Sequence, residues 1–363
     1  MTMKNICIVV GARPNFIKVA PLIHAIQHAA SEGQAVGYQL VYAGTEQDAT
    51  LEPTLFDDLQ ISRPDVFLGV DCDSLNELVG KVMAAFEGYL QHHSTDVVIV
   101  VDDLSSTMAA AIVTKKSGIE LAHLVAGTRS FDLRMPKEIN RLVIDGLSDL
   151  LFTAGMSSNS IANKEGAELS KVYMVGNILM DTLRANHSRL QRPQIVDTLH
   201  LTEGGYLVFT LNRKALIADA DNLQRMVETL AQKAGDTPVV APLRAPSAAA
   251  LIKMNLPHNF HIVNPLSYLE FGWLTAHAKG VVTDSGNVAE EATFNGVPCI
   301  TLNSYTEHLE TVKVGTNELV GEDAGKLADA MDRLMAGQWK KGALPDRWDG
   351  RSAERIVQIL LQE

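Results

Sequence analysis

Short, continuously apolar segments alternate with amphipathic helical patterns along the whole chain, and this alternation restricts the fold more than any other feature. Strands without a polar face are predicted to lie in parallel sheets that helices cover on both sides. The 363 residues suffice for two α/β domains of this kind. The predicted strands are residues 6–10, 38–42, 97–101, 120–125, 150–153 and 172–175 and, after a restart, 206–210, 238–241, 261–263, 280–282 and 298–302.

The restart of the pattern predicts two Rossmann-like doubly wound domains that face a cleft. We place the N-terminal domain at residues 1–176 and the C-terminal domain at residues 177–349. The last helical pattern, within residues 350–363, is expected to pack back on the first domain. Because ligands of doubly wound sheets bind beyond the carboxyl ends of the strands, we expect the functional residues there.

Composition excludes several classes of partner. A formal net charge of −12 argues against binding to nucleic acid, because no basic excess exists to neutralise phosphates. No apolar run has the length of a membrane span, and the strand at residues 6–10 begins too early for a signal peptide. Cys7, Cys72 and Cys299 are far apart and are interpreted as reduced thiols. We therefore expect a cytoplasmic protein without membrane insertion, bound metal or cofactor.

A phosphate-binding site is predicted where a strand end, a small-residue turn and a helix start follow one another, in residues 282–291 (VTDSGNVAEE). Ser285 and Gly286 would let a ligand approach the backbone. The first N–H groups of the helix would face that ligand, with the positive end of the helix dipole behind them. Glu290 and Glu291, one turn further on, could bind ribose hydroxyls. The segment therefore predicts a nucleotide-diphosphate ligand.

Charged residues also follow two predicted strands of the first domain. Arg13 and Lys18 come after residues 6–10 and could contact a diphosphate, or they could be solvated cations of an ordinary strand–helix turn. Asp102 and Asp103 follow residues 97–101 and could supply a catalytic acid or base, or one of them could cap the next helix together with Ser105. The turn after the first strand lacks the full Gly-x-Gly-x-x-Gly pattern, which disfavours an NAD-dependent oxidoreductase.

Residues 123–141 contain a long charged loop, and loops of this kind are commonly functional. Glu138 is predicted in the first turn of the following helix, where the helix dipole favours a carboxylate. Asn140 and Arg141 could instead be ordinary helix surface.

In the second domain, Arg213 follows the first strand and could reach into the cleft. An aromatic residue such as Phe271 could stack on a base, although packing in the core is an equally good interpretation. His308 could bind a diphosphate, carry a proton or lie on the surface.

Taken together and in order, these segments resemble the UDP-N-acetylglucosamine 2-epimerase family across nearly the whole chain. The family motifs G-T-R-P-E-x-I-K-x-A-P-L, R-x-P-E-E-x-N-R, V-G-N, T-D-S-G-G-x-x-E-E-A, G-V-P-x-x-x-L and V-G-T-N correspond to residues 11–22, 134–141, 175–177, 283–292, 296–302 and 314–317.

The resemblance implies a glycosyltransferase-B-like fold, UDP held mainly by the C-terminal domain, a homodimer, and a setting in cell-envelope polysaccharide synthesis. Family members convert UDP-GlcNAc to UDP-ManNAc. They remove the C2 proton, expel UDP to give a 2-acetamidoglucal, and add UDP back with the opposite C2 configuration; some release ManNAc by hydrolysis instead. This chemistry requires acid and base groups at C2 and stabilisation of the departing diphosphate.

Carried over residue by residue, the resemblance implies two groups of site residues. The predicted catalytic residues are Asp103, Lys137, Glu138 and His308. The predicted UDP- or substrate-binding residues are Arg13, Lys18, Arg134, Asn140, Arg141, Asn212, Arg213, Phe271, Ser285, Gly286, Asn287 and Glu291.

The chain departs from the family at the acid and base positions. Val125 stands for the glutamate of H-x-E-A-G, Lys137 for the first glutamate of P-E-E, and Asn212 for the histidine of T-L-H-R. We therefore expect a protein that binds UDP-GlcNAc or a related UDP-sugar, with standard C2 epimerisation weakened or altered. Two alternatives stay open: a catalytically silent UDP-sugar sensor or partner subunit, and a UDP-sugar hydrolase or glycosyltransferase.

Overall fold

The computed structural model describes residues 3–165 and 170–362, and the chain divides into two compact units. The first unit comprises Met1–Ala185 and Asp346–Glu363, and the second comprises Asn186–Pro345. This division lies beyond the predicted boundary at residues 176 and 177, because the helix that follows that boundary is bonded to the first unit. Thr182 Oγ1 donates to the Ile17 carbonyl at 2.6 Å, and Asp181 Oδ1 accepts from Ala353 N at 2.8 Å.

In the described part of the chain, the first unit contains a parallel seven-stranded sheet. Its strands are β1 (Lys4–Val10), β2 (Val36–Tyr42), β3 (Val66–Phe67), β4 (Val97–Val101), β5 (Glu120–Ala126), β6 (Leu150–Thr153) and β7 (Lys171–Met174). The strand order is β3-β2-β1-β4-β5-β6-β7, so the direction of winding reverses between β1 and β4. Strand β3 was not predicted, because two residues are too few to show a pattern.

The second unit contains a parallel six-stranded sheet within its described residues. Its strands are β8 (Leu207–Phe209), β9 (Val239–Pro242), β10 (Phe260–Val263), β11 (Gly280–Thr283), β12 (Cys299–Thr301) and β13 (Asn317–Leu319), in the order β10-β9-β8-β11-β12-β13. Apolar clusters cover both faces, with Phe209 and Ile300 in one cluster and Val208 and Cys299 in the other. The predicted class of two doubly wound α/β domains is therefore confirmed within each unit.

Helices follow most strands. They are α1 (Arg13–Ser31), α2 (Leu55–Leu59), α3 (Leu75–His92), α4 (Ser105–Lys116), α5 (Pro136–Leu147), α6 (Met156–Glu165), α7 (Ile178–Asn186), α8 (Ile195–Thr198), α9 (Lys214–Ala218), α10 (Ala220–Ala234), α11 (Ala245–Ile252), α12 (Tyr268–Ala276), α13 (Gly286–Asn295), α14 (Glu310–Lys313), α15 (Ala324–Met335) and α16 (Ser352–Gln362). The C-terminal helix α16 belongs to the first unit, where Lys4 Nζ donates to the Leu360 carbonyl at 2.6 Å.

Across residues 3–165 and 170–362, no helix combines the length and the apolar character needed to cross a membrane. The same residues contain no cluster of three or more His, Cys, Asp or Glu side chains arranged to hold a metal ion. Cys7 and Cys299 are free, buried thiols in β1 and β12, and Cys72 is a free thiol that is half-buried. Burial raises the pKa of both buried thiols to about 12, so they stay protonated.

Candidate functional site

The amino terminus of α13 follows the carboxyl end of β11, as the sequence predicted. Ser285 precedes the helix in an extended conformation, and its N–H donates to Thr283 Oγ1 at 2.9 Å. The amides that open a helix have no acceptor within it. Those of Gly286, Asn287 and Val288 therefore form a set of donors that the helix dipole makes attractive to an anion.

Asp284 links three strand ends of the second sheet. Its Oδ2 accepts from the backbone N–H groups of Asn212 and Arg213 at 2.7 and 2.6 Å, and its carbonyl accepts from Asn303 Nδ2 at 3.1 Å. Burial raises the pKa of Asp284, and the hydrogen bonds from Asn212 and Arg213 offset only part of that effect. The predicted binding residues Asn212 and Arg213 are thus fixed by their backbones beside the start of α13. The Arg213 guanidinium pairs with Glu322 and donates to the Leu302 carbonyl.

His308 and the α13 glutamates lie inside the second unit. His308 is buried, and its Nε2 lies 3.4 Å from Glu290 Oε1, so the interpretation of His308 as a surface residue is wrong. Glu291, a predicted ribose ligand, is also buried. Phe271 is half-buried on α12 and packs against an apolar cluster, as its core interpretation predicted.

In the first unit, Lys18 is buried and its charge is already compensated. Lys18 Nζ lies 2.6 Å from Asp102 Oδ1, and Asn15 Nδ2 donates to Asp102 Oδ2 at 2.8 Å. The alternative of a solvated cation is therefore wrong for Lys18. Arg13 is half-buried and pairs with Glu52 at 2.5 Å.

Asp103 is held by two cations. Arg141 is fully buried and donates from Nε and Nη2 to Asp103 Oδ2 at 2.9 and 2.6 Å. Lys137 Nζ, on a half-exposed side chain, lies 3.1 Å from Asp103 Oδ1. Burial alone would raise the pKa of Asp103, but Lys137 and Arg141 together lower it. Asp103 is therefore an ionised carboxylate and a poor proton donor near neutral pH.

Two expectations about neighbours of Asp103 are wrong. The residue that precedes α4 is Leu104, so neither Asp102 nor Asp103 caps that helix. Asn140 and Arg141 are buried rather than ordinary helix surface, and Asn140 Nδ2 donates to the Asp103 carbonyl at 2.8 Å.

Glu138 lies in the first turn of α5, as predicted, and it anchors the preceding loop. Its Oε2 accepts from Ser130 N and Ser130 Oγ at 2.9 Å and from Arg141 Nη1 at 3.1 Å, while its Oε1 accepts from Phe131 N at 2.9 Å. Burial raises the pKa of Glu138, but these hydrogen bonds outweigh it and the pKa is lowered. Arg134 lies on the exposed part of the same loop and pairs with Asp132 at 2.8 Å.

Val125 lies at a strained position near the carboxyl end of β5, an inner strand of the first sheet. Its φ angle is +74°, and the pairing of β5 with β6 shifts register between Leu124 and Ala126. A β-branched residue rarely adopts this left-handed conformation, and strained backbone of this kind concentrates at functional sites. The strained backbone that is typical of a functional site is thus present at Val125, but its apolar side chain cannot transfer a proton.

His123, Asp145 and Arg129 form a buried network that the sequence did not predict. His123 Nδ1 lies 2.6 Å from Asp145 Oδ1, and Arg129 Nη1 lies 2.7 Å from Asp145 Oδ2. The signal was a histidine inside an otherwise apolar strand, because a buried polar side chain requires partners.

Acid is expected to destabilise the first unit. Burial raises the pKa values of Asp103, Glu138 and Asp145, but their cationic and hydrogen-bonding partners lower all three overall. Carboxylates with lowered pKa stabilise the fold above their unfolded-chain pKa, and this contribution is lost as pH falls through the folded-state pKa. Since the unfolded values are about 4, the free energy of unfolding should fall below about pH 4.

Urea unfolding of this unit can be followed by Trp348, which is buried in it, in a protein where Trp273 and Trp339 are replaced by Phe. An unfolding free energy that stays level from about pH 5 to about pH 2 would contradict the pairing described for these carboxylates.

Comparison with known proteins identifies the relatives of the chain. A sequence profile described as UDP-N-acetylglucosamine 2-epimerase matches residues 28–361. The UDP-N-acetylglucosamine 2-epimerase of Methanocaldococcus jannaschii is 31% identical, over 98% of both chains. The UDP-2,3-diacetamido-2,3-dideoxy-D-glucuronate 2-epimerase of Pseudomonas aeruginosa is 32% identical, over 87% of this chain and 88% of its own.

The crystal structure of the M. jannaschii enzyme in complex with UDP-GlcNAc and UDP superposes with a TM-score of 0.85 at 30% identity, covering 99% of this chain and 100% of that one. The sequence profile alone spans most of the chain, and the two relatives and the solved structure agree with it. The chain therefore belongs to the UDP-N-acetylglucosamine 2-epimerase family.

Proposed function

We propose that this protein binds UDP-GlcNAc or a related UDP-N-acetylhexosamine, and that its C2 epimerisation is weakened or altered. The proposal of weakened epimerisation rests on the surroundings of Asp103. Its carboxylate is compensated by Arg141 and Lys137, while Val125 occupies the position of the family glutamate. Loss of one general acid or base typically lowers a rate by about 10²–10⁴-fold.

Support for nucleotide binding comes from the second unit and from relatives. The amides at the start of α13 offer the donors that a diphosphate requires. The M. jannaschii relative was crystallised with UDP-GlcNAc and UDP. The P. aeruginosa relative is named for a diacetamido-glucuronate sugar, so the sugar itself can differ within the family.

Predicted roles for the site residues belong to this proposal. Ser285, Gly286, Asn287 and Glu291 would hold UDP, and Asp103, Lys137, Glu138 and His308 would remain the acid–base candidates. A cytoplasmic location rests on the sequence expectations given above, and a homodimeric state and a role in polysaccharide synthesis rest on the family resemblance. The alternatives are a catalytically silent sensor or partner subunit, and a UDP-sugar hydrolase or glycosyltransferase.

The test is an NMR time course with UDP-GlcNAc in deuterated water. We expect slow or undetectable deuterium incorporation at C2, together with saturable binding. Efficient incorporation with UDP-ManNAc formation would refute the weakened reaction, whereas UDP release without incorporation would favour the hydrolase or transferase alternative.

Restoring the family side chains should restore chemistry. Because Val125→Glu, Lys137→Glu and Asn212→His return an acid or base to each altered position, the triple variant should incorporate deuterium at C2 at least about tenfold faster than the unaltered protein. The matched control is Val125→Gln, Lys137→Gln and Asn212→Gln, which adds polarity without a comparable proton carrier. Equal rates in both variants would show that these positions do not limit the reaction.

A further inference from the structure

A buried histidine that the proposed function does not use lies beneath the carboxyl ends of β4 and β5. His123 is 1% exposed. Its Nδ1 lies 2.6 Å from Asp145 Oδ1, and its Nε2 lies 2.9 Å from the Asp102 carbonyl oxygen. A carbonyl oxygen can only accept a hydrogen bond, so Nε2 must carry a proton.

Both oxygens of the Asp145 carboxylate also face hydrogen-bond donors. Its Oδ2 accepts from Arg129 Nη1 at 2.7 Å and from Gly127 N at 3.1 Å, which leaves Oδ1 for His123. Arg129 Nε in turn lies 2.8 Å from Glu165 Oε2. Because an ionised carboxylate has no proton to donate, Nδ1 of His123 must donate as well. A ring that donates from both nitrogens is an imidazolium cation.

The imidazolium contacts backbone in an uncommon conformation. Asp102 has a φ of +58°, and its carbonyl oxygen accepts from His123 Nε2. Val125, two positions after His123 in β5, has a φ of +74°. Left-handed conformations at residues other than glycine persist only where the surrounding structure holds them. The carboxylate of Asp102 pairs with Lys18, and the carboxylate of the next residue, Asp103, pairs with Arg141.

We propose that His123 is a positioning residue that carries two ring protons, and that its pairing with Asp145 fixes the left-handed ends of β4 and β5. The charged groups around it are Asp145 from α5, Arg129 from the loop after β5, and Asp102 after β4, whose carboxylate is paired with Lys18 of α1. This inference concerns the first unit alone and holds whether or not the protein binds a UDP-sugar.

The protonation is tested by ring-nitrogen NMR of the full-length ¹⁵N-labelled protein at about pH 8, where an unperturbed imidazole is mostly neutral. The His123 signals, assigned by their loss in His123→Gln, should show two similar nitrogen shifts with a proton on each. His277, whose Nδ1 faces the Trp273 carbonyl on α12, serves as the comparison ring. Two widely separated shifts at His123 would show a neutral ring and overturn the proposal.

The positioning role is tested with Asp145→Asn. His123 should change to the neutral-ring pattern, and the Asp102 amide, which donates to the Leu124 carbonyl at 3.2 Å, should exchange with solvent about tenfold faster. The amide of Ile99, in the middle of β4, is the internal reference. The matched control is Asp149→Asn, which removes a carboxylate from Lys115 at 2.7 Å and should leave both observables unchanged.

Unchanged exchange at Asp102 in Asp145→Asn would refute the positioning role. If that variant does not fold, the wild-type ring shifts still decide the protonation, and the Asp102 exchange rate in His123→Gln decides the positioning role.

Discussion

Replacement of Gly286 by Asp is expected to lower the affinity for UDP by about 100-fold. The new carboxylate would stand in the first turn of α13, among the amides that we propose to hold the diphosphate. Like charges placed side by side cost several kcal/mol, and about 2.8 kcal/mol corresponds to a hundredfold change in affinity. The helix dipole favours a carboxylate at a helix amino terminus, which offsets part of the repulsion from the nearby Glu307 carboxylate.

The control for this prediction is Gly286→Asn, which has the same size without the charge. In both variants the added Cβ would lie 3.3 Å from Glu307 Oε2, so any steric effect is shared. Calorimetric titration with UDP should show a much larger loss of affinity in Gly286→Asp than in Gly286→Asn. Equal affinities in the two variants would mean that the start of α13 does not contact the diphosphate.

Replacement of Arg141 by Met is expected to destabilise the first unit by about 3–5 kcal/mol, because it removes the buried cation that pairs with two buried carboxylates. Arg141 is 1% exposed and contacts both Asp103 and Glu138. Its guanidinium donates to Asp103 Oδ2 at 2.6 Å and to Glu138 Oε2 at 3.1 Å, so its removal takes a buried hydrogen-bond donor from both carboxylates. Urea unfolding followed by Trp348 fluorescence measures the loss.

Lys137→Met is the matched comparison, since Lys137 pairs with the same aspartate. The Lys137 side chain is 55% exposed, and pairs of this kind contribute about 0–1 kcal/mol. Similar losses of unfolding free energy in the two variants would contradict the conclusion that buried Arg141 stabilises the fold and exposed Lys137 contributes little.

The sequence was sufficient for most of the fold, because buried parallel strands leave long apolar runs. The strands that escaped prediction are β3, which is very short, and β13, which begins with Asn317 and Glu318 and so lacks an apolar run. The sequence also predicted the helix start after Ser285, because a small-residue turn and a helical pattern follow an apolar strand.

Charge pairing could not be read from the sequence, because the partners lie far apart along the chain. Lys18 meets Asp102 and Arg141 meets Asp103 only after α1, β4 and α5 have come together. A cation predicted to be available for a ligand is therefore found paired within the protein. The left-handed backbone of Val125 was equally invisible, because a valine gives no local signal for it.

Calorimetric titration of the unaltered protein with UDP, with uridine as the control, tests most directly whether this protein binds a UDP-sugar through its diphosphate. We expect saturable binding of UDP and much weaker binding of uridine, because the proposed contact is to the diphosphate. Absence of UDP binding at millimolar concentrations, or equal affinity for uridine, would contradict the proposal that this protein holds a UDP-sugar at the start of α13.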